Sequence, residues 1–355
     1  MAVQFGTDGI RGRVDDEINE AVAFRVGFAV SKVLAGHVCY VGYDTRESSS
    51  RLCSAAVAGL REGGMDVVAL GVITTPGVAV TAEQNGGVGL VISASHNPYY
   101  DNGFKVFGVG GVKLNEETES QVKAAFDAAP ERGGPFSVIV LDRLDVEAYL
   151  DRLRAVLDFN ALHGLRVVLD CANGAASELA PELFSSLGAE VHVLHAAPDG
   201  TNINRDCGST HPEHLAAVVR STHADLGLAF DGDGDRLIAV DAHGNVRDGD
   251  DLMILFARDL ASRNELGGSL VVTVMSNLGL HHAMRNAQIS VIETDLGDRA
   301  VKRALEENDL ALGGEQSGHL IFHHRWPTGD GMLSALLLCD LVQRTGRLSE
   351  MAEAA

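Results

Sequence analysis

One pattern occurs three times along this chain, and it restricts the fold more than any single motif does. An apolar strand leads into a helix, a second strand follows, and a third strand empties into a polar loop. In the first copy the spacing predicts a strand at 37–42, a helix over 49–62 stopped by Gly63 and Gly64, a strand at 66–70 and another at 89–92. The second copy predicts strands at 165–169, 190–194 and 226–230 around a helix over 176–187 stopped by Gly188. The third predicts strands at 269–274, 289–293 and 310–312 around a helix over 279–285. β-branched strands separated by helices that end at glycine point to mixed or parallel sheets covered by helices. The predicted class is α/β, with three consecutive similar α/β domains over 1–155, 156–250 and 251–355.

In open sheets of this kind ligands sit beyond the carboxyl ends of strands, so the loop after each third strand is where chemistry is expected. Those loops read SASHNP from Ser93, DGDGDR from Asp231 and GEQSGH from Gly314. In the first, Ser95 is the candidate nucleophile, and a serine hydroxyl needs a nearby base or cation, here His96 or Lys105. The competing reading is a turn in which Ser95 and Asn97 only bond the backbone.

In the second loop Asp231, Asp233 and Asp235 alternate with glycines, so an extended backbone can turn three carboxylates toward one point. Such charges repel unless a divalent cation offsets them, and an all-oxygen set suits Mg²⁺. A calcium EF-hand does not fit, because Arg236 stands where that loop needs glycine and Ala242 where it needs glutamate. A solvated Asp-Gly turn is the alternative, and Arg236 next door is placed to hold a phosphate. In the third loop Glu315 and Ser317 stand between glycines that let a ligand approach the backbone, a pairing suited to adjacent sugar hydroxyls. By itself that loop reads as an ordinary polar turn, and its equivalent place in the repeat is what singles it out.

Further basic candidates are Arg11 in FGTDGIRG, Arg46 beside Asp44, and Arg299 with Lys302. The glycines around Arg11 favour a functional role, whereas Asp44, Arg46 and Lys302 are expected to be structural. The paired histidines His281-His282 and His323-His324 lack the H-E-x-x-H metal spacing.

Composition narrows the partners. A formal net charge of −21 argues against nucleic acid, which needs Lys and Arg gathered on one face. The apolar runs fall far short of the roughly 20 residues that span a bilayer, and the start MAVQFGTDGIRG has no secretory pattern. Five cysteines without a C-x-x-C pair argue against a disulfide framework or a zinc cluster. The expectation is a soluble cytoplasmic protein with no membrane contact, and a small anionic substrate would need basic residues gathered locally against the overall charge.

FGTDGIRG, VISASHNPYYDNGFK, DCANGAAS, DGTNINRDCGSTHPEHL, LAFDGDGDR, VMSNLGL and GGEQSGH together resemble the α-D-phosphohexomutase superfamily, most closely its bacterial amino-sugar branch, from about Phe5 to Thr345. The resemblance implies that Ser95 carries a phosphate and that Asp231, Asp233 and Asp235 bind Mg²⁺ together with it. Glu315 and Ser317 would hold sugar hydroxyls with His319 nearby, while Arg11, His96, Lys105 and Arg236 serve phosphate and proton transfer. The implied reaction interconverts glucosamine 6-phosphate and glucosamine 1-phosphate through glucosamine 1,6-bisphosphate, feeding UDP-N-acetylglucosamine and cell-wall synthesis. Rival readings are a mannose or glucose phosphomutase and a non-catalytic sugar-phosphate binding protein.

Members of this superfamily carry a fourth, C-terminal domain whose Arg-x-Ser-Gly-Thr-type loop grips the phosphate that is not transferred. No such motif occurs before Ala355, so the fourth domain is expected to be absent by truncation. Low turnover and exposed apolar surface favouring a homodimer are expected to follow.

Overall fold

The computed structural model describes residues 5–6, 9–137 and 144–353. Its first unit comprises β1 (Phe5–Gly6), β2 (Gly9–Arg13), α1 (Glu20–Val33), β3 (Val38–Tyr43), α2 (Ser49–Glu62), β4 (Asp66–Val72), α3 (Thr75–Asn85), β5 (Val88–Ile92), β6 (Asp101–Phe107) and α4 (Glu116–Ala128). The second comprises α5 (Leu144–Arg154), β7 (Arg166–Asp170), α6 (Ala176–Ser186), β8 (Glu190–Leu194), α7 (Glu213–Thr222), β9 (Leu226–Phe230), β10 (Leu237–Asp241) and β11 (Val246–Arg247). The third comprises α8 (Gly249–Ser262), β12 (Ser269–Thr273), α9 (Leu278–Asn286), β13 (Ser290–Thr294), α10 (Asp298–Asn308), β14 (Leu312–Gly314), β15 (Leu320–Phe322), α11 (Gly331–Thr345) and α12 (Leu348–Glu353).

The three sheets share one four-strand plan. Their orders β6-β5-β3-β4, β10-β9-β7-β8 and β15-β14-β12-β13 place the first long strand of each unit between two parallel partners. Each polar loop then joins an antiparallel pair: β5 to β6, β9 to β10, and β14 to β15. The sheets are therefore mixed, with helices on their faces, as the repeat predicted.

The return strands β6, β10 and β15 are not evident from the repeat, and neither are the second helices α3, α7 and α10. The reason is clearest for α3, whose residues 75–82 are all buried, so no polar face marks its period. The strand expected at 310–312 forms two residues later, as β14 (Leu312–Gly314).

A continuous apolar core runs from α3 and α5 under the second sheet to α8 and α11, with Tyr149, Phe184, Phe230, Leu252 and Leu336 all fully buried. Burial of this kind contributes about 1.5–3 kcal/mol per large side chain. It also holds the three sheets with the carboxyl ends of β5, β9 and β14 toward one another. Among the described residues, no helix is long and apolar enough to cross a membrane.

Candidate phosphoryl-transfer site

Ser95 sits just beyond β5 in the left-handed region, at φ 52°, a conformation that costs a non-glycine residue energy and that the surroundings must hold. They do so from two units. Arg46 Nη2 donates to the carbonyls of Ser95 at 3.1 Å and Asn97 at 2.6 Å, and Asn204 Nδ2 donates to the same two oxygens at 2.9 and 3.0 Å. Arg46 is itself locked by a buried ion pair with Asp44, whose carboxylate also accepts from Ser49 Oγ at 2.8 Å. The expected structural role of Asp44 and Arg46 is thus what they have, and the structure they hold is the serine loop.

Ser95 Oγ donates to Asp231 Oδ2 at 2.6 Å and lies 3.3 Å from His96 Nδ1. The loop after β9 comes this close because Gly232 has no side chain: a Cβ there would lie 2.6 Å from Ser95 O. Asp231, Asp233 and Asp235 each place one carboxylate oxygen within 4.8 Å of the others, and all three side chains are buried. Lys105 Nζ, from β6, donates to Asp233 Oδ2 at 2.6 Å and to Asp235 Oδ2 at 2.8 Å. Lys105 therefore belongs to the acidic loop and has no direct bond to Ser95 among those described.

The electrostatics follow from this crowding. Burial, with the charges of Asp235 and Asp233, pushes Asp231 up to about 7. Burial would raise Asp233 and Asp235 too, but Lys105 with Thr75 at Asp233, and Lys105 with His319 and Arg236 at Asp235, together outweigh it and hold both below the usual carboxylate range. Burial also lowers His96 to about 4, helped by the cations Arg236 and Arg11, so its imidazole is neutral near pH 7. Asp233 Oδ1 and Asp235 Oδ1 are buried and make no hydrogen bond within the protein. Two orphaned carboxylate oxygens in an all-oxygen cluster match what a hard divalent cation requires.

The third loop completes the ring. Gly318, at φ 88°, packs where a Cβ would lie 2.2 Å from Leu237 O, so the third loop lies directly on the start of β10. Glu315, Ser317 and Arg236 line one cavity of about 440 Å³. Glu315 Oε1 accepts from the amide of Gly297 at 3.2 Å, and Ser317 Oγ is buried without a partner in the protein. His319 lies beneath the loop, with Nδ1 3.7 Å from Asp235 Oδ1 and Nε2 3.5 Å from Asp298 Oδ2. Asp298 pairs with Lys113 and Arg299 pairs with Glu119, tying the start of α10 to the first unit. Lys302 bonds His323 Nδ1 at 2.8 Å, in keeping with a structural role.

Sequence reasoning did not single out four residues that the fold brings here. Asn204 clamps the serine loop, and Thr75 Oγ1 donates to Asp233 Oδ2. Ser209 and Thr273 line the cavity with buried hydroxyls that have no partner in the protein. Asn204 and Ser209 lie inside the NINRDCGST stretch, so that motif carried the signal.

A second cluster, Asp170, His195 and Cys207, also gathers potential metal ligands. Asp170 is already engaged by the amides of Ala172 and Gly208 at 3.0 Å each and by His195 Nδ1 at 3.0 Å. Burial pushes the Cys207 thiol up to about 12, against the thiolate a metal needs. We read that cluster as a brace under the loop after β7.

Comparison with known proteins supplies context for this geometry. Models of the phosphoglucomutase/phosphomannomutase alpha/beta/alpha domains I, II and III match residues 2–133, 147–244 and 248–355. A phosphoglucosamine mutase of Desulforamulus reducens is 48% identical over 357 residues, covering 98% of this chain and 80% of the relative. The enzyme of that name in Staphylococcus aureus is 43% identical over 366 residues, covering 99% and 81%. The crystal structure of a phosphoglucomutase/phosphomannomutase family protein from Burkholderia thailandensis superposes with a TM-score of 0.86 at 30% identity, over 99% of this chain and 79% of that one. An N-acetylphosphoglucosamine mutase from Aspergillus fumigatus, solved with GlcNAc-6P and magnesium, gives a TM-score of 0.66 at 17% identity over 99% and 79%, which bears on the fold alone.

Proposed function

The chain belongs to the phosphoglucomutase/phosphomannomutase family, and from that premise we propose that it is an isomerase interconverting glucosamine 6-phosphate and glucosamine 1-phosphate, as its phosphoglucosamine mutase relatives are named for doing. The observation that carries this reading is the Ser95 hydroxyl bonded to Asp231 at 2.6 Å, beside three buried carboxylates and a polar cavity lined by Glu315 and Ser317.

In this reading Ser95 Oγ carries the phosphoryl group. Transfer breaks the bond from phosphorus to Ser95 Oγ and forms one to the sugar O1, whose proton passes to a base. Ser95 Oγ is left to be protonated, and the sugar becomes the 1,6-bisphosphate. After the bisphosphate turns end for end, its 6-phosphoryl group returns to Ser95 Oγ and O6 regains a proton. Phosphoryl transfer asks mainly for positioning and for positive charge around the equatorial oxygens. Mg²⁺ held by Asp231, Asp233 and Asp235 would supply part of that charge.

The remaining roles fall to side chains already located. Arg11 and Arg236 are the cations whose charge reaches His96, and they would neutralise phosphate oxygens in the same place. His96 is neutral and 3.3 Å from Ser95 Oγ, whereas Lys105 lies between two carboxylates, so His96 suits proton acceptance and Lys105 suits charge balance. Glu315 and Ser317 would hold sugar hydroxyls, with His319 supporting Asp235 from below. We assign the protein to the cytoplasm, where amino-sugar phosphates for UDP-N-acetylglucosamine would be its substrates.

The test is turnover of glucosamine, mannose and glucose 6-phosphates by the Mg²⁺-loaded protein primed with the matching bisphosphate, together with intact mass. Glucosamine 6-phosphate is expected to give the highest kcat/KM, with one phosphoryl group on Ser95. A preference for mannose or glucose would reassign the substrate, and binding without turnover in any of the three would reduce the protein to a sugar-phosphate binder.

A further inference from the structure

We propose that Thr75 is a positioning residue for Asp233: it holds one carboxylate oxygen so that the other is presented to the divalent cation. This inference rests on the reading of Asp231, Asp233 and Asp235 as a cation site. Thr75 is buried at the first position of α3 and meets Asp233 twice. Its hydroxyl donates to Asp233 Oδ2 at 2.5 Å, and its amide donates to Asp233 O at 2.8 Å. The amide is one of the donors that a helix start leaves without an intrahelical partner, so the α3 terminus adds partial positive charge on the same side.

Lys105 Nζ also donates to Asp233 Oδ2, at 2.6 Å, so two donors converge on one oxygen while Asp233 Oδ1 has no partner in the protein. The two donors behave differently once a cation arrives. An ammonium is repelled by the ion and competes with it for the carboxylate charge. A hydroxyl is neutral, so it keeps its bond to Oδ2 and keeps Oδ1 turned outward. Without it, the carboxylate is free to rotate and offer both oxygens to Lys105, which draws Asp233 out of the cation's reach.

The start of α3 that carries Thr75 is held by contacts from all three units. The preceding residue, Thr74, caps α3 by accepting from the amide of Gly77 at 3.2 Å and donates to Tyr149 Oη at 3.2 Å. Tyr149 donates to Asp330 Oδ2 at 2.8 Å, and Asp330 caps α11, whose first amide, Gly331, donates to Gly234 O at 3.0 Å. The acidic loop is therefore pinned at Asp233 by the start of α3 and at Gly234 by the start of α11, and Tyr149 joins the two pins. Partners at this remove from a metal commonly alter its affinity by about 10- to 100-fold.

The test is calorimetric titration of Mg²⁺ into the full chain and into Thr75→Val and Thr75→Ser. Valine keeps the branched shape without the hydroxyl, and serine keeps the hydroxyl without the methyl. Thr75→Val is expected to weaken Mg²⁺ binding about tenfold or more, and Thr75→Ser to stay within about threefold of the parent. The proposal is overturned if Thr75→Val binds Mg²⁺ like the parent, or if Thr75→Ser loses as much as Thr75→Val. It is also overturned if Thr75→Val fails to unfold cooperatively in EDTA while Thr75→Ser does so, because the hydroxyl would then serve the fold and not the ion. Failure of the parent itself to bind Mg²⁺ would instead remove the cation reading on which the proposal stands.

Discussion

Ser95 Oγ donates a 2.6 Å hydrogen bond to Asp231 Oδ2 across a separation of 136 residues, so the serine loop of one unit and the acidic loop of the next form a single site. A phosphorylated Ser95 would bring about −1.5 to −2 charge against Asp231, which only a cation and basic side chains can offset. Ser95→Ala should lower mutase turnover on the order of 10³-fold or more, because no other hydroxyl takes its place as nucleophile. Mg²⁺ binding should persist through Asp231, Asp233 and Asp235. A coupled assay for glucosamine 1-phosphate checks the first outcome and calorimetry the second, and full turnover in the variant would sink the assignment.

Lys105 is buried between Asp233 and Asp235, so its removal leaves two buried carboxylates without that cation. Breaking a buried pair in this way typically costs about 3–5 kcal/mol. Lys105→Met should therefore lose several kcal/mol of stability in EDTA. Saturating Mg²⁺ should restore part of the loss, since an ion that binds only the folded state stabilises it by mass action. Urea unfolding with and without Mg²⁺ decides this, and an equal loss under both conditions would show that ion and lysine do not share a site.

Asp330 supplies a pH dependence whose sign can be worked out. Burial pushes its carboxyl up to about 6, more than Tyr149 and the capped amides of Leu333 and Met332 lower it, against an ordinary value of 3.8. The folded state thus holds the proton more tightly than the unfolded one across that window. Its contribution to stability is complete below the unfolded value and is lost as pH rises through about 6. Asp330→Asn keeps the cap without the charge. Relative to the parent, this variant should gain in unfolding midpoint between about pH 4 and about pH 7, and a constant difference across that range would contradict the assignment.

Asn204 donates to the carbonyls of Ser95 and Asn97, and Arg46 holds the same pair from the other side. Asn204→Ala removes half of that clamp. About 1–3 kcal/mol of stability should go with it, since the buried carbonyl of Ser95 and the partly buried one of Asn97 each lose a donor. The serine loop keeps its substrate contacts but loosens, so kcat should fall roughly tenfold or more with little change in KM. Steady-state kinetics separate the two constants, and a change confined to KM would place Asn204 at the substrate instead.

Much of this site was legible before any fold was known, because its chemistry is local in sequence. Asp231, Asp233 and Asp235 alternate with glycines, Ser95 and His96 are neighbours, and Glu315 and Ser317 share one loop. Thr75, Tyr149 and Thr273 gave no such signal. Thr75 reads as the start of a buried helix, and Asp233 lies 158 residues away. Tyr149 reads as an ordinary core residue, and its partner Asp330 is 181 residues away. Lys105 was legible as one of two candidate bases for Ser95; its bonds to Asp233 and Asp235, made by the antiparallel return of β6, were not.

The threefold α/β repeat and the chemical character of each loop are written in the chain itself, because strand and helix periodicity and the spacing of like charges act over a few residues. Which of those groups meet is set by packing between the units. Burying the apolar faces of α3, α5, α8 and α11 in one core brings the ends of β5, β9 and β14 together. That convergence raises Asp231 to about 7, lowers His96 to about 4, and puts a threonine from one unit on the carboxylate of the next. Burial and long-range Coulomb terms depend on distances that no local pattern encodes.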